Sequence, residues 1–176
     1  MKSQNESAVN IFKESQSRIK SMALIHEKLY QSGDLSKIDF CEYVNNLCRE
    51  LLNSYKVNAG LISVIVDIKN VFLDIDTAIP CGLIINELMA NILKYAFKEK
   101  QKGQIIIQLL TNNSGEMLLV VIDNGVGLPG SFNLEKISSL GIQLVKSLTR
   151  QLNGTVEFAD NNPGTIVKIR FINKKN

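Results

Sequence analysis

The chain has 176 residues, of which 45% are hydrophobic, and a formal net charge of +3 at neutral pH. This length suits one domain, or one domain with an appended helical segment, and it is enough to bury a core. The small net charge and the low aromatic content of 6% offer no basic stripe and no stacking platform, so we expect no nucleic-acid partner.

The start of the chain and the cysteines bear on its compartment. The start, MKSQNESAVN, is polar and lacks the apolar stretch of a secretory signal. No run approaches the roughly 18 to 20 apolar residues of a membrane span. The three cysteines include no CxxC pair, which favours buried free thiols over a zinc or disulfide framework. We therefore expect a cytoplasmic chain, and whether a parent protein is membrane-anchored stays open.

The first predicted element is a long helix from about residue 5 to 31. Apolar residues recur along it at the spacing of one helix face: Phe12, Ile19, Met22 and Leu29. His26, the single histidine, lies in the same series, which predicts that it is packed. Ser32, Gly33 and Asp34 predict the end of the helix. A helix of this length at the edge of a domain usually needs a partner.

The middle of the chain changes from helical to strand periodicity. Asp39 is a predicted N-cap for a helix over about 40–54. The segments LISVIVDI and VFLDI are β-rich and predict a hairpin. Pro80 is then placed in the first turn of an apolar helix over about 78–97.

The C-terminal half alternates strands with one helix. QIIIQLL and MLLVVID are predicted strands joined by the turn NNSGE, and TVEFA and TIVKIRF are two more, separated by DNNPG. Between the pairs, LGIQLVKSLTRQL predicts a helix that ends at Asn153 and Gly154, with Arg150 in its last turn. This order predicts a sheet with helices layered on one face.

Polar residues are conspicuous in the apolar helix NELMANILKYAF. Glu87, Asn91 and either Lys94 or Tyr95 project from one face. One interpretation is a buried carboxylate and amide satisfied by the backbone. The other is a ligand site, in which the Asn91 carbonyl oxygen binds Mg²⁺ that carries nucleotide phosphates and Lys94 supplies a cation.

Three glycine-containing segments follow, each with an ordinary and a functional interpretation. In DNGVGLPG, Asp123 ends a strand and Gly125 and Gly127 permit close backbone approach, although such a sequence is also a common turn. In SLGIQLV, Gly141 either marks a plain helix entry or frees N-terminal amides for phosphate. In PGT, Thr165 presents a hydroxyl after a turn.

Together, the order and spacing of these four segments resemble the catalytic ATP-binding domain of sensor histidine kinases. That domain belongs to a superfamily that includes gyrase-type and chaperone ATPases, and the resemblance covers about residues 36–172. NELMANILKYAF resembles the N box, DNGVGLPG the first glycine box, SLGIQLV the second and PGT the last. The resemblance implies an α/β fold over residues 36–176: a two-layer sandwich of a mixed β-sheet with helices on one face (Bergerat-type). A partial dimerisation helix over residues 1–35 would precede it.

The resemblance also implies roles for single residues. Asn91 would hold Mg²⁺, and Asp123 would bind adenine, with Thr165 helping through a water. The loops would be shaped by Gly125, Gly127 and Gly141. The phosphate side would carry Lys94 and Tyr95. Glu87 would be a catalytic acid whose chemical step is left open. Two features depart from the family: Gly141 is the one glycine of its box, and the lid from Leu128 to Leu140 is short. We therefore expect modest ATP affinity.

The N-terminal segment ESQSRIKSMALIHEKLY resembles the second helix of a dimerisation segment whose acceptor histidine lies upstream, in an HHRxKNN-type motif. No such motif occurs here, and Ser17 stands where its histidine would be. We expect the phosphoacceptor on an upstream helix that is not included, a response regulator as the final acceptor, and no autophosphorylation at His26. The alternatives are an anti-sigma-type serine kinase or an ATPase of the same superfamily, and a degenerate dimerising module.

Overall fold

The computed structural model describes residues 12, 15, 16, 18–20, 23, 38–57, 60–97, 102–112, 114–128 and 139–172. In this part of the chain a mixed five-stranded sheet is covered on one face by helices. The expected α/β fold, a mixed sheet with helices on one face, is therefore confirmed, and the domain bounds 36–176 stay a prediction.

The elements follow one another in this order: β1 (Ile38–Asp39), α1 (Phe40–Ser54), β2 (Ile62–Ile68), β3 (Phe72–Leu73), α2 (Ile75–Asn91), a π-helical segment (Ile92–Ala96), β4 (Gly103–Thr111), β5 (Glu116–Asp123), α3 (Leu140–Gln151), β6 (Thr155–Asp160) and β7 (Thr165–Ile172).

The sheet has the strand order β2-β4-β5-β7-β6. β2 and β4 are parallel, and every other neighbouring pair is antiparallel. Side chains alternate along each strand, and those on one face join the helices in a single core. The fully buried members of that face include Ile105, Ile107, Leu119 and Ile169.

The predicted hairpin between LISVIVDI and VFLDI is wrong. β2 pairs with β4 in parallel register, with Ile65 opposite Ile106, and α2 makes the crossover between them. The second segment supplies only Phe72–Leu73, which pairs with the short β1. The sequence pattern identified both segments as extended. Two strands that are consecutive in sequence need not pair with each other, because a helix can connect one of them to a later strand.

The start of α2 also differs from its prediction. Asp74 caps the helix by accepting a hydrogen bond from the Thr77 N–H at 2.8 Å, so the helix begins at Ile75 rather than near residue 78. Pro80 consequently lies in the second turn. The α-helix ends at Asn91, and the last residues of the predicted helix form the π-helical segment instead.

The other two helices agree with their predictions. Asp39 caps α1, since its Oδ1 accepts from the Glu42 N–H at 3.0 Å. α3 ends in a turn at Asn153 and Gly154, and Arg150 lies in its last turn.

The three cysteines differ in exposure. Cys48 and Cys81 are buried, as expected for structural thiols, whereas Cys41 is half-buried. Burial raises the pKa of Cys48 to about 12 and also raises that of Cys81. Because the thiolate is the reactive form, both buried thiols are protected at neutral and mildly basic pH.

We predict that one thiol reacts rapidly with a disulfide reagent at about pH 8, and that Cys41→Ser removes this fast phase. All three thiols should react in denaturant. Equal rates for two or three thiols in the native protein would contradict the burial of Cys48 and Cys81.

The described residues near the N-terminus are helical, in agreement with the predicted first helix. Phe12 and Ile19 are 66% and 65% exposed on the single chain. Met22, His26 and Leu29 lie outside the described residues, so dimerisation through this face and the packing of His26 stay predictions.

None of the helices in the described ranges is both long and apolar enough to cross a membrane.

Candidate functional site

A cavity of about 500 Å³ lies between α2, the π-helical segment, α3 and the ends of β5 and β7. Every predicted site residue except Gly125 lines it: Glu87, Asn91, Lys94, Tyr95, Asp123, Gly127, Gly141 and Thr165. The volume is that of an ordinary small-molecule site. The four sequence segments therefore converge on one cavity.

Asp123 is the buried acid of this cavity. It ends β5 and is 2% exposed. Its Oδ1 accepts a hydrogen bond from the Gly125 N–H at 2.8 Å. Burial raises the pKa of the Asp123 carboxyl, and hydrogen bonds from Gly125 and from the backbone and hydroxyl of Thr165 oppose the rise. Thr165 thus hydrogen-bonds to Asp123, and its help to adenine binding through a water stays a prediction.

The glycine loop after Asp123 is anchored to its neighbours. The Val126 N–H donates to the Ala96 carbonyl at 2.9 Å, at the end of the π-helical segment. A Cβ on Gly125 would overlap that same carbonyl. Gly125 therefore packs against the Ala96 backbone and does not line the cavity. Asn124 accepts from the Gln104 N–H at 2.7 Å. The loop is consequently fixed relative to both the π-helical segment and the sheet.

The β6–β7 turn holds the other side of the loop. Asn161 Nδ2 donates to the Asp123 carbonyl at 3.3 Å, and the Asn161 N–H closes the turn on the Gly164 carbonyl at 2.9 Å. Asp160 Oδ1 accepts from the Leu128 N–H at 3.3 Å, where the predicted lid begins. Asp160 and Asn161 were not predicted as site residues, because a turn sequence gives no sign of which distant backbone its side chains contact.

The opposite end of the cavity is formed by α2 and the start of α3. Glu87 is 5% exposed and receives a hydrogen bond from Asn86 Nδ2 at 3.2 Å. A Cβ on Gly141 would lie 2.8 Å from Glu87 Oε2 and 3.9 Å from Asn91 Nδ2. The absence of a side chain at Gly141 therefore lets α3 approach the acid and the amide closely.

The start of α3 has features of an anion site. Ser139 is the N-cap residue but makes no capping hydrogen bond with its side chain. Gly141 lies inside the first turn of the helix, as the predicted helix LGIQLVKSLTRQL implies. First-turn amides have no partner within the helix, and the helix dipole favours negative charge there.

Lys94 and Tyr95 lie in the π-helical segment at the cavity wall. The Lys94 ammonium is 5.9 Å from the centre of the Tyr55 ring, a cation–π contact. Tyr95 is 72% exposed and belongs to the rim. π-helical turns are rare and frequently occur at functional sites.

Comparison with known proteins identifies the family. Residues 77–175 match the family described as "Histidine kinase-, DNA gyrase B-, and HSP90-like ATPase". The chain belongs to this family. Residues 1–55 match a second family, described as "Histidine kinase". Membership of the ATPase family implies that the chain binds ATP.

Curated relatives agree with this assignment. The chain is 32% identical over 158 residues to the sensor histidine kinase PdtaS of Mycolicibacterium smegmatis, a match that covers 89% of the chain and 31% of the relative. It is also 32% identical over 112 residues to blue-light-activated histidine kinase 2 of Erythrobacter litoralis, which covers 62% of the chain and 32% of the relative. The chain thus spans about a third of the length of these relatives.

A solved structure has the same fold. The histidine kinase domain of the Erythrobacter litoralis EL346 blue-light activated histidine kinase superposes with a TM-score of 0.79 at 21% identity. The superposition covers 91% of this chain and 75% of that one.

The apolar wall of this cavity was also not predicted from the sequence. It includes Ile92, Ile142, Phe158 and Val167. Inward-facing positions of strands and helices could have indicated Phe158 and Ile142 as buried, but the sequence does not separate a residue that lines a cavity from one that packs in the core.

Proposed function

We propose that this chain is the ATP-binding catalytic module of a two-component sensor histidine kinase. In this proposal it transfers the γ-phosphoryl group of Mg-ATP to a histidine on an upstream segment, and an aspartate of a response regulator then accepts it. The observation that carries the proposal is the single cavity with a buried carboxylate, Asp123, at one end and Asn91 with the start of α3 at the other.

The adenine end follows from the hydrogen-bonding chemistry of Asp123. An ionised carboxylate only accepts hydrogen bonds, and the exocyclic amino group of adenine donates them. The Gly125 N–H and Thr165 hold the carboxylate in one orientation. The apolar wall beside it, which includes Ile142 and Phe158, suits the faces of a purine ring.

The start of α3 and the Asn91 side chain support a phosphate site at the other end of the cavity. First-turn amides of α3 near Gly141 would bind phosphate oxygens, and Lys94 would add a cation. The Asn91 side chain would offer one oxygen ligand to Mg²⁺, which usually takes one or two protein ligands together with phosphates and waters. Bound Mg²⁺ would neutralise phosphate charge.

The transfer step is a displacement at phosphorus. An imidazole nitrogen of the acceptor forms the P–N bond while the bond to the β–γ bridging oxygen breaks, and ADP leaves. The imidazole proton is released to a base. Glu87 is the carboxylate at the phosphate end of the cavity, and we retain it as the catalytic acid or base without assigning its step.

Partners and location complete the proposal. We expect a homodimer through the N-terminal helix, an upstream phosphoacceptor helix, a response regulator and a cytoplasmic location for this part of the protein. His26 is not the acceptor in this scheme.

Labelling with γ-labelled ATP tests the chemistry. We predict no acid-labile label on this chain alone, and acid-labile label on a version that carries an upstream acceptor helix, because phosphohistidine is hydrolysed in acid. Acid-labile label on this chain that disappears in His26→Gln would contradict the scheme. Acid-stable label would favour the serine kinase, and steady release of free phosphate without label would favour the ATPase.

A further inference from the structure

An arginine of the N-terminal helix reaches the phosphate end of the cavity. Arg18 Nε donates to Glu87 Oε1 at 2.7 Å, and Arg18 Nη2 donates to Glu87 Oε2 at 2.8 Å. The two side chains are 14% and 6% exposed, and the residues are 69 positions apart in sequence. This is a bidentate, charge-assisted pair, the strongest and most directional class of ion pair in proteins.

Glu87 needs this partner because of where it lies. It projects from the apolar helix α2 into the cavity wall, and its neighbour Asn86 supplies only one neutral hydrogen bond. A buried carboxylate without a counter-charge is costly. In the described part of the chain, Arg18 is the cation paired with it.

The same carboxylate faces the place assigned to the nucleotide phosphates. Glu87 Oε2 lies against the first turn of α3 at Gly141, and Asn91 is one turn further along α2. An unpaired negative charge at this position would repel the phosphates, because Glu87 is only 5% exposed and a buried charge is screened less than one in bulk water. Pairing with Arg18 removes most of that repulsion.

We propose that Arg18 is a residue of the nucleotide site: it neutralises and orients Glu87, so that the ATP phosphates bind beside a paired carboxylate. This inference rests on the proposed function. It extends the site beyond the ATP-binding domain into the N-terminal helix. By reciprocity of binding energies, Mg-ATP and the docking of this helix should then strengthen each other.

The test compares the affinity of the whole chain for Mg-ATP with its affinity for adenosine, which lacks phosphates and is measured by competition. Arg18→Met should weaken Mg-ATP by about tenfold and leave adenosine within about twofold, because only the phosphates meet the uncompensated carboxylate. Adding Glu87→Gln to Arg18→Met should restore most of the Mg-ATP affinity. The Mg-ATP affinity of Arg18→Lys should fall between those of Arg18→Met and the wild type. Lysine keeps the positive charge but cannot make the two parallel hydrogen bonds of the guanidinium group.

Lys20→Met is the matched control. Lys20 is an exposed lysine on the same helix, so its loss removes the same formal charge without touching Glu87. It should leave both affinities unchanged.

Three results would overturn the inference while leaving the proposed function intact: an unchanged ratio of ATP to adenosine affinity in Arg18→Met, even with a lowered melting temperature; tighter Mg-ATP binding in that variant; or no recovery in the double variant. Absence of Mg-ATP binding by the wild-type chain would instead reject the proposed function itself.

Discussion

Asp123→Asn should reduce the affinity of the chain for Mg-ATP at least about a hundredfold. The substitution removes a charge-assisted hydrogen bond worth about 1.5 to 3 kcal/mol. It also permits an amide donor to face the adenine amino group, which is itself a donor, so one buried polar group loses its partner. The two losses act on the same contact, and calorimetry on purified variants measures their sum.

The fold should survive this substitution. Because burial raises the pKa of Asp123, the ionised carboxylate at neutral pH carries a desolvation cost that a neutral amide does not. The melting temperature of Asp123→Asn should therefore equal or exceed that of the wild type.

Asp67→Asn provides a control with the same chemical change on β2, where Asp67 Oδ2 accepts from Gln108 Nε2 at 3.0 Å. Asp67 does not line the cavity, so its substitution should leave Mg-ATP affinity unchanged. Equal affinity of wild type and Asp123→Asn for Mg-ATP would remove the adenine role from Asp123.

Gly164→Ala should lower both stability and nucleotide affinity. Gly164 has a φ of +104°, which an alanine adopts only at a cost of about 1 to 2 kcal/mol. The added Cβ would also overlap the Asp123 carbonyl, a backbone group that cannot rotate away. Overpacking of this kind typically costs a further 1 to 3 kcal/mol, so we expect the free energy of unfolding to fall by about 3 kcal/mol.

Gly115→Ala is a control that separates the cost of backbone strain from the cost of the contact with the Asp123 carbonyl. Gly115 has a comparable φ of +79° in the β4–β5 turn, but a Cβ there would meet no atom within 4 Å. Its substitution should cost only about 1 kcal/mol and leave Mg-ATP affinity unchanged. Denaturant unfolding of the two variants measures the difference. Equal destabilisation by both substitutions would contradict the close approach of Gly164 to the Asp123 carbonyl.

Local chemistry explains which parts of the fold were predictable. Asp39 and the turn at Asn153 mark helix ends through capping and glycine geometry, and both were found from a few adjacent residues. The partner of β2 was not, because strand pairing depends on residues some forty positions away. The earlier start of α2 was missed because Pro80 suggested a first turn, while the true cap is Asp74.

The same distinction applies to the site. Residues within compact motifs, such as Asp123 and Asn91, were predicted from their spacing and from the family resemblance, and the fold brings them to one cavity. Arg18, Asp160 and Asn161 were missed as site residues because each acts through a contact with a segment distant in sequence. Such contacts exist only once the chain has folded.

The most direct test of the account is a calorimetric comparison of Mg-ATP and Mg-ITP on the wild-type chain. Inosine carries a carbonyl where adenine carries the amino group, so ITP presents an acceptor to the Asp123 carboxylate. We predict one Mg-ATP per chain and at least about tenfold weaker binding of Mg-ITP, since a site built to accept a hydrogen bond rejects a ligand that lacks the donor. Equal affinities for the two nucleotides, or no binding of Mg-ATP, would contradict the assignment of this cavity as an adenine nucleotide site.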